Sequence, residues 1–298
     1  INGIIAVVNK RSKIVGSISD GDFRRYHIAN SSNFHNACAK DIMNQNPIFF
    51  LKDNSLEKIL DRIPNKLISL RRSSEINLRY IFLADKEDCL IDIIDISEYR
   101  DKANKLAVIG LGYVGLTLSL VLADSGFIVS GIDNNPNTIR NLSNSKSHVR
   151  EPNIEKLLSQ NINRNLFLGT TLNVAFGTYI ISVGTPIVSG NGSISLNTSY
   201  LLSVLDSISR VIQSGNLIVL RSTVPIGTCR DVVIPRIEKN TGMVCGLDFF
   251  VSFAPERTEE GNALKELTSL PQIIGGFDEI SIKKTKFIFE KSTNNIVI

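Results

Sequence analysis

From residue 105 onward the chain alternates short apolar runs with longer stretches whose apolar residues recur at helical spacing. Runs of strand length lie at 106–109, 128–133, 166–169, 179–183, 217–221, 249–254 and 272–275. Between them, helical patterns cover 115–125, 136–141, 154–160, 198–213, 229–239 and 279–291. The clearest helix carries Leu201, Leu202, Val204, Leu205, Ile208, Val211 and Ile212, which fall on one face at 3.6 residues per turn. Strand and helix alternating at this length predict an α/β, doubly wound parallel sheet with helices on both faces. The first hundred residues are less regular and read as a smaller α+β domain. A polar stretch, Tyr99 to Asn104, separates the two, so the expected domains are 1–103 and 104–298.

In such sheets, ligands bind at the carboxyl ends of the strands. The first of those ends is the most informative. The run 106–109 enters a Gly-x-Gly-x-x-Gly turn, Gly110-Leu-Gly-Tyr-Val-Gly115, then a helix, then a second strand that ends on Asp133. Gly110 lets the chain turn sharply. Gly112 leaves the backbone bare where a pyrophosphate must approach, and Gly115 lets helix and strand pack closely. The helix N-terminus offers N–H groups to the phosphates, and the acid about 20 residues on accepts from the ribose hydroxyls. Together these parts predict a Rossmann-type dinucleotide site, with Tyr113 and Val114 in the turn.

The other strand ends carry hydroxyls and carboxylates. One runs into Val183-Gly-Thr-Pro186, with Gly184 and Thr185 inside it. Another runs into Ser222-Thr-Val-Pro-Ile-Gly-Thr228, and a third into Pro255-Glu-Arg-Thr-Glu-Glu-Gly261. Ser222 and Thr228 could serve only as helix caps. The third loop is harder to explain structurally. Glu256, Arg257, Thr258, Glu259 and Glu260 gather three carboxylates and a cation, which must be solvated or engaged. Arg257, adjacent in sequence, is the expected partner that keeps Glu256 ionised.

Charge adds little. The 33 basic and 29 acidic residues give a net charge of +4 and no basic stripe, so nucleic acid is not an expected partner. No apolar run approaches the ~20 residues of a membrane span. The opening residues show no signal peptide, and a cytoplasmic protein is expected. Cys38, Cys89, Cys229 and Cys245 lie too far apart for a metal motif and read as free thiols, partly buried. His27, His35 and His148 are isolated, and no metal is expected. The chain begins with Ile1 and stops in an apolar run, Asn295 to Ile298, which reads as a fragment cut at both ends.

The second half resembles the NAD-binding domain of the UDP-glucose/GDP-mannose dehydrogenase family. The resemblance rests on Gly110 to Gly115, Gly131-Ile-Asp133, Glu151-Pro152, Val183 to Pro186, Ser222 to Thr228, Ala254 to Gly261 and Leu270 to Gly276, in that order. It implies oxidation of C6 of a nucleotide-linked sugar to the carboxylate with NAD, through an aldehyde captured by a cysteine as a thiohemiacetal and then a thioester. It also implies that Gly110, Gly112, Tyr113, Val114, Gly115, Asp133, Val183, Gly184, Thr185, Pro186, Ser222, Thr223 and Glu260 bind the cofactor. Residues 256–260 would meet the sugar nucleotide. Glu256 would handle protons or the hydrolytic water, Thr223 would position water, and Glu260 would lie between cofactor and substrate. The Arg after the Glu resembles the branch acting on UDP-N-acetylhexosamines, with UDP-glucose the other option. The family's catalytic cysteine and lysine are not recognisable here, so this chain is expected to bind NAD without turning over. The full-length protein is expected to be a homo-oligomer.

The first half is similar to a CBS module whose first copy lacks its beginning. Ile4 to Asn9, Lys13 to Arg25 and Ala39 to Pro47 carry the likeness. It implies an adenine nucleotide held by Ser19 and Asp22. At the equivalent place in the second copy stand Ile94 and Ser97, so one such site is expected at most. The rival reading is a non-catalytic protein in which both halves only sense adenine nucleotides.

Overall fold

The computed structural model describes residues 3–30, 34–52, 59, 62, 63, 66, 79–97, 103–190 and 193–298. The chain divides into two units, Ile1–Arg100 and Asp101–Ile298.

In the first unit β1 (Ile4–Val8) and β2 (Ile14–Ser19) pair antiparallel, and α1 (Asp20–Ala29) follows directly. A short helix α2 (Ala39–Ile42) precedes β3 (Phe49–Leu51), which pairs parallel with β4 (Tyr80–Ala84). β5 (Leu90–Asp95) lies antiparallel on its other side. Central strand β4 is apolar on both faces. Ile81 and Leu83 pack with Ile48, Phe50 and Ile96, while Phe82 and Ala84 pack with Ile14.

The second unit is built on β6 (Lys105–Ile109), β7 (Ile128–Ile132), β8 (Leu166–Gly169), β9 (Thr178–Ile181), β12 (Asn216–Leu220) and β13 (Phe249–Phe253). These six run parallel in the order β8-β7-β6-β9-β12-β13. The order reverses between β6 and β9, which opens the crevice where doubly wound sheets bind dinucleotides. Both faces are covered. Leu106 and Val108 of β6 pack with Leu116 and Leu120 of α3 (Tyr113–Asp124), whereas Ala107 and Ile109 pack with Leu201 and Leu205 of α6 (Ser199–Ser209). Among the described residues no helix is long and apolar enough to cross a membrane.

Two local readings are refined and two elements are added. The run 272–275 is not one strand. Gln272–Ile273 (β14) pairs parallel with Ile296–Val297 (β16), and Gly275–Gly276 (β15) pairs antiparallel with β13, so the sheet has an antiparallel edge. Ile274, between them, is buried. The helix expected at 229–239 is a π turn, Cys229–Val233, followed by α7 (Ile234–Thr241). Pro235 has no N–H to continue an α ladder, and Ile234 N–H instead reaches back to the Cys229 carbonyl. Residues 187–196, to which no element was assigned, form a hairpin of β10 (Ile187–Gly190) and β11 (Ser193–Leu196). Helix α8 (Ala263–Ser269) was not foreseen either, although Ala263, Leu264 and Leu267 have helical spacing and the first and last are buried.

Candidate cofactor and carboxylate site

The glycine turn follows β6, beside the sheet's reversal. Gly110 has φ +90°, and a Cβ there would lie 2.9 Å from the Ser182 carbonyl oxygen. At Gly115 a Cβ would lie 1.8 Å from the Gly110 oxygen and 2.4 Å from Ser182 Oγ. These two glycines are required by packing. Gly112 differs, since a Cβ there would meet nothing within 4 Å. It is also the N-cap of α3 and caps no N–H with a side chain. Open space in front of an uncapped helix N-terminus fits a pyrophosphate.

Asp133 follows β7 and faces this turn. Its Oδ2 accepts from Leu111 N–H at 2.9 Å, and its Oδ1 accepts from Asn135 N–H at 2.9 Å. Two backbone bonds fix the carboxylate and leave further lone pairs for ribose hydroxyls. The donor set and the open turn therefore fit an adenine dinucleotide.

Several hydroxyls assigned to the cofactor are engaged in holding loops together. Ser222 Oγ donates to the Val183 carbonyl at 2.7 Å, and Thr185 Oγ1 donates to the Thr223 carbonyl at 2.6 Å. Ser182, which sequence reading passed over, donates to the Gly110 carbonyl at 2.8 Å. The strand-end loops of β6, β9 and β12 are thus laced side by side at one edge. Thr223, Gly184 and Pro186 remain exposed there, and Val183 is half-buried. Thr228 Oγ1 donates to the Pro225 carbonyl, a local turn contact.

Glu256 is placed after β13, and its partner is not the one expected. Arg257 sends its guanidinium to the Pro271 carbonyl, 3.0 Å away. The cation beside Glu256 is Arg221, at the end of β12, whose side chain is 1% exposed against 9% for Glu256. Arg221 Nη2 and Nε donate to Glu256 Oε2 at 2.8 and 3.1 Å, and Nη1 donates to the Ala254 carbonyl at 3.1 Å. Its guanidinium also lies over the Phe289 ring. Glu256 Oε1 accepts the backbone N–H groups of Arg257 and Thr258 at 2.7 and 2.9 Å. Burial by itself would push the Glu256 pKa up. Arg221 and the two backbone donors outweigh it and hold the carboxylate below its ordinary value. The carboxylate is ionised at neutral pH, with four donors on its two oxygens.

Glu259 and Glu260 are exposed. Glu259 N–H donates to Glu266 Oε2 of α8 at 2.7 Å, which ties the loop to that helix. Tyr113, at the start of α3, directs its hydroxyl to Glu151, and Glu151 Oε1 also accepts from Gly261 N–H.

In the first unit Ser19 is the N-cap of α1. Its hydroxyl donates to Asp22 Oδ2 at 2.6 Å, and Asp22 Oδ2 accepts from Ser19 N–H at 2.8 Å. Asp22 Oδ1 pairs with Arg25 at 2.5 Å. A capping box accounts for both side chains without a ligand. Ser97 Oγ donates to Asp95 Oδ1 in a similar local contact.

Residues 104–293 match the NAD binding domain of the UDP-glucose/GDP-mannose dehydrogenase family. The chain is similar to the UDP-N-acetyl-D-mannosamine dehydrogenase of Methanocaldococcus jannaschii, at 32% identity over 62% of this chain and 42% of that one. It is also similar to the GDP-mannose 6-dehydrogenase of Pseudomonas savastanoi pv. phaseolicola, at 35% identity over 63% of this chain and 44% of that one. The solved UDP-D-ManNAc dehydrogenase of Pyrococcus horikoshii superposes with a TM-score of 0.61 at 31% identity, covering 64% of this chain and 46% of that one. The chain therefore spans under half the length of these relatives.

Proposed function

Because the chain belongs to the UDP-glucose/GDP-mannose dehydrogenase family, whose NAD-binding domain covers residues 104–293, we propose that it forms the cofactor half of an NAD-dependent nucleotide-sugar 6-dehydrogenase. The observation that carries this reading is the open turn at Gly112 on the same sheet edge as the buried Arg221–Glu256 pair. The substrate we favour is a UDP-N-acetylhexosamine. Similarity to UDP-N-acetyl-D-mannosamine dehydrogenases supports that choice, as does Arg257 after Glu256. A cytoplasmic homo-oligomer is the setting that goes with it.

When bound, NAD would supply the acceptor for the hydride lost from C6 of the sugar. The chain's residues do the rest of the work on this side. Gly112 and the start of α3 receive the pyrophosphate, and Asp133 orients the adenosine ribose. Thr223 and Glu260, exposed at the edge, face the substrate side. Glu256 enters as an anion. To orient a hydrolytic water it must first release one of its four donors. The N–H groups of Arg257 and Thr258 sit in a loop and can move as substrate arrives, whereas Arg221 is fixed by the Ala254 carbonyl.

The thiol nucleophile is not supplied by this half. Burial pushes Cys229 up to about 11 and Cys245 up to about 12, so both stay protonated and unreactive near neutral pH. The chain alone, given NAD and UDP-N-acetylmannosamine, should form NADH far below the ~1 s⁻¹ of ordinary enzymes. A chimera joining residues 104–298 to the C-terminal half of the Pyrococcus horikoshii relative should recover turnover, with two NADH per sugar. Turnover by the chain alone would place the nucleophile here. An inactive chimera that binds NAD would argue against the substrate assignment.

The first unit fits a CBS-type module in its strand–strand–helix order. An adenine nucleotide there needs Ser19 and Asp22 to leave their capping box, and AMP titration of the chain reads whether they do.

A further inference from the structure

Tyr113 belongs to the glycine turn and Gly261 to the carboxylate loop, and one residue, Glu151, bonds to both. It lies far from each in sequence, just before α5 (Ile154–Asn161). Glu151 is 8% exposed, and its Oε1 takes both the Tyr113 hydroxyl and Gly261 N–H. The same hydroxyl lies 2.9 Å from the Glu259 carbonyl. Oε2 is buried with no hydrogen-bond partner. A buried carboxylate with one oxygen unpartnered is costly to keep. Among the described residues no cation pairs with it. Packing alone would be served as well by an apolar residue at this place. Burial, and then Glu151 itself, raise the Tyr113 pKa, so the phenol stays a donor at neutral pH.

We propose that Glu151 is a positioning residue that links the cofactor turn to the carboxylate loop, so that NAD settling on the turn orders residues 255–261 through Tyr113, Glu151 and Gly261. The link runs from the turn to the loop. Tyr113 is the first residue of α3, next to the open space at Gly112, so a pyrophosphate there bears on the backbone that carries the phenol. Any shift of the phenol changes the acceptor that it shares with Gly261 N–H. The loop is held at two further points, Glu259 N–H on Glu266 and Glu256 on Arg221. Fixing Gly261 as well pins its far end. The consequence is that bound cofactor and an ordered carboxylate loop favour each other.

The inference rests on the NAD reading above, and one experiment separates the two. Calorimetry measures NAD binding, and amide hydrogen exchange measures protection of residues 256–261 with and without saturating NAD. In the unmutated chain NAD should slow exchange in this loop on the order of tenfold, within the usual range for coupled sites. Tyr113→Phe removes only the hydroxyl, and Glu151→Ala removes the acceptor. At NAD concentrations that calorimetry shows to saturate each variant, the NAD-induced slowing should fall below about twofold. Glu151→Gln keeps the Oε1 acceptor and should retain most of it. A purely structural Glu151 would change exchange without NAD and leave the NAD-induced ratio alone. That ratio unchanged in Tyr113→Phe and Glu151→Ala would overturn the proposal, as would NAD binding to the unmutated chain with no protection of the loop. Failure of the unmutated chain to bind NAD would overturn the cofactor reading, and the coupling with it.

Discussion

Arg221→Met is expected to cost the second unit about 3–5 kcal/mol of stability at neutral pH, because it strands the Glu256 carboxylate in a buried place. Urea unfolding at pH 7 measures the loss. Arg221→Met combined with Glu256→Leu should recover much of it, since an apolar pair of similar volume carries no desolvation cost. The pH dependence gives an independent check. With Arg221 present, the Glu256 pKa is depressed below its unfolded value, so its contribution is present above that unfolded value, near 4.5, and is lost as pH falls through the lower folded value. Without Arg221, burial dominates and raises the folded pKa. The sign then reverses, and the contribution is present at acid pH and lost as pH rises. The stability gap between variant and unmutated chain should therefore shrink from pH 7 toward pH 4. A gap that is constant across this range would mean that Arg221 acts by packing on Phe289 rather than by its charge.

The glycines of the turn should separate cleanly by substitution. Gly115→Ala puts a methyl 1.8 Å from a backbone oxygen, so strand and helix must move apart. A stability loss at or above the usual 1–3 kcal/mol of overpacking, roughly, is expected, together with loss of NAD binding. Gly112→Ala meets nothing within 4 Å, so the fold should tolerate it to within about 0.5 kcal/mol. NAD affinity should nevertheless fall by about tenfold or more, because the methyl occupies the approach of the pyrophosphate. Thermal unfolding and calorimetry on the two variants read this. A Gly112→Ala chain that binds NAD as well as the unmutated one would show that the phosphates lie elsewhere.

What could be read from sequence was local. The glycine turn, the strand that follows and Asp133 lie within one strand–helix–strand unit, so their spacing encodes their geometry. The six parallel strands were legible for the same reason, as each is an apolar run between turn signals. The site's electrostatics were not. Arg221 ends a buried strand and meets Glu256 only because β12 and β13 are neighbours, and nothing at 221 marks which loop its guanidinium will enter. Arg257 was the plausible partner by adjacency, yet a neighbour along an extended loop points elsewhere, here to Pro271. Glu151 stood in a recognisable motif, but its bonds to Tyr113 and Gly261 depend on three separate loops meeting. The contacts of the hydroxyls were not legible either. Ser222 and Thr185 have the chemistry to touch a cofactor and are used to join loops. The split of the run 272–275 follows from tertiary pairing with β16 and β13, which no short-range pattern carries.

The central claim is a site for NAD with Asp133 as its ribose acid. Titration of the unmutated chain with NAD and with NADP in the same calorimeter tests it most directly. A 2′-phosphate would face the Asp133 carboxylate, and Asn134 and Asn135 bring no cation to offset it. The account predicts saturable one-site binding of NAD and at least about tenfold weaker binding of NADP, with Asp133→Ala narrowing the gap. Equal affinity for the two cofactors, or no binding of either, would contradict it.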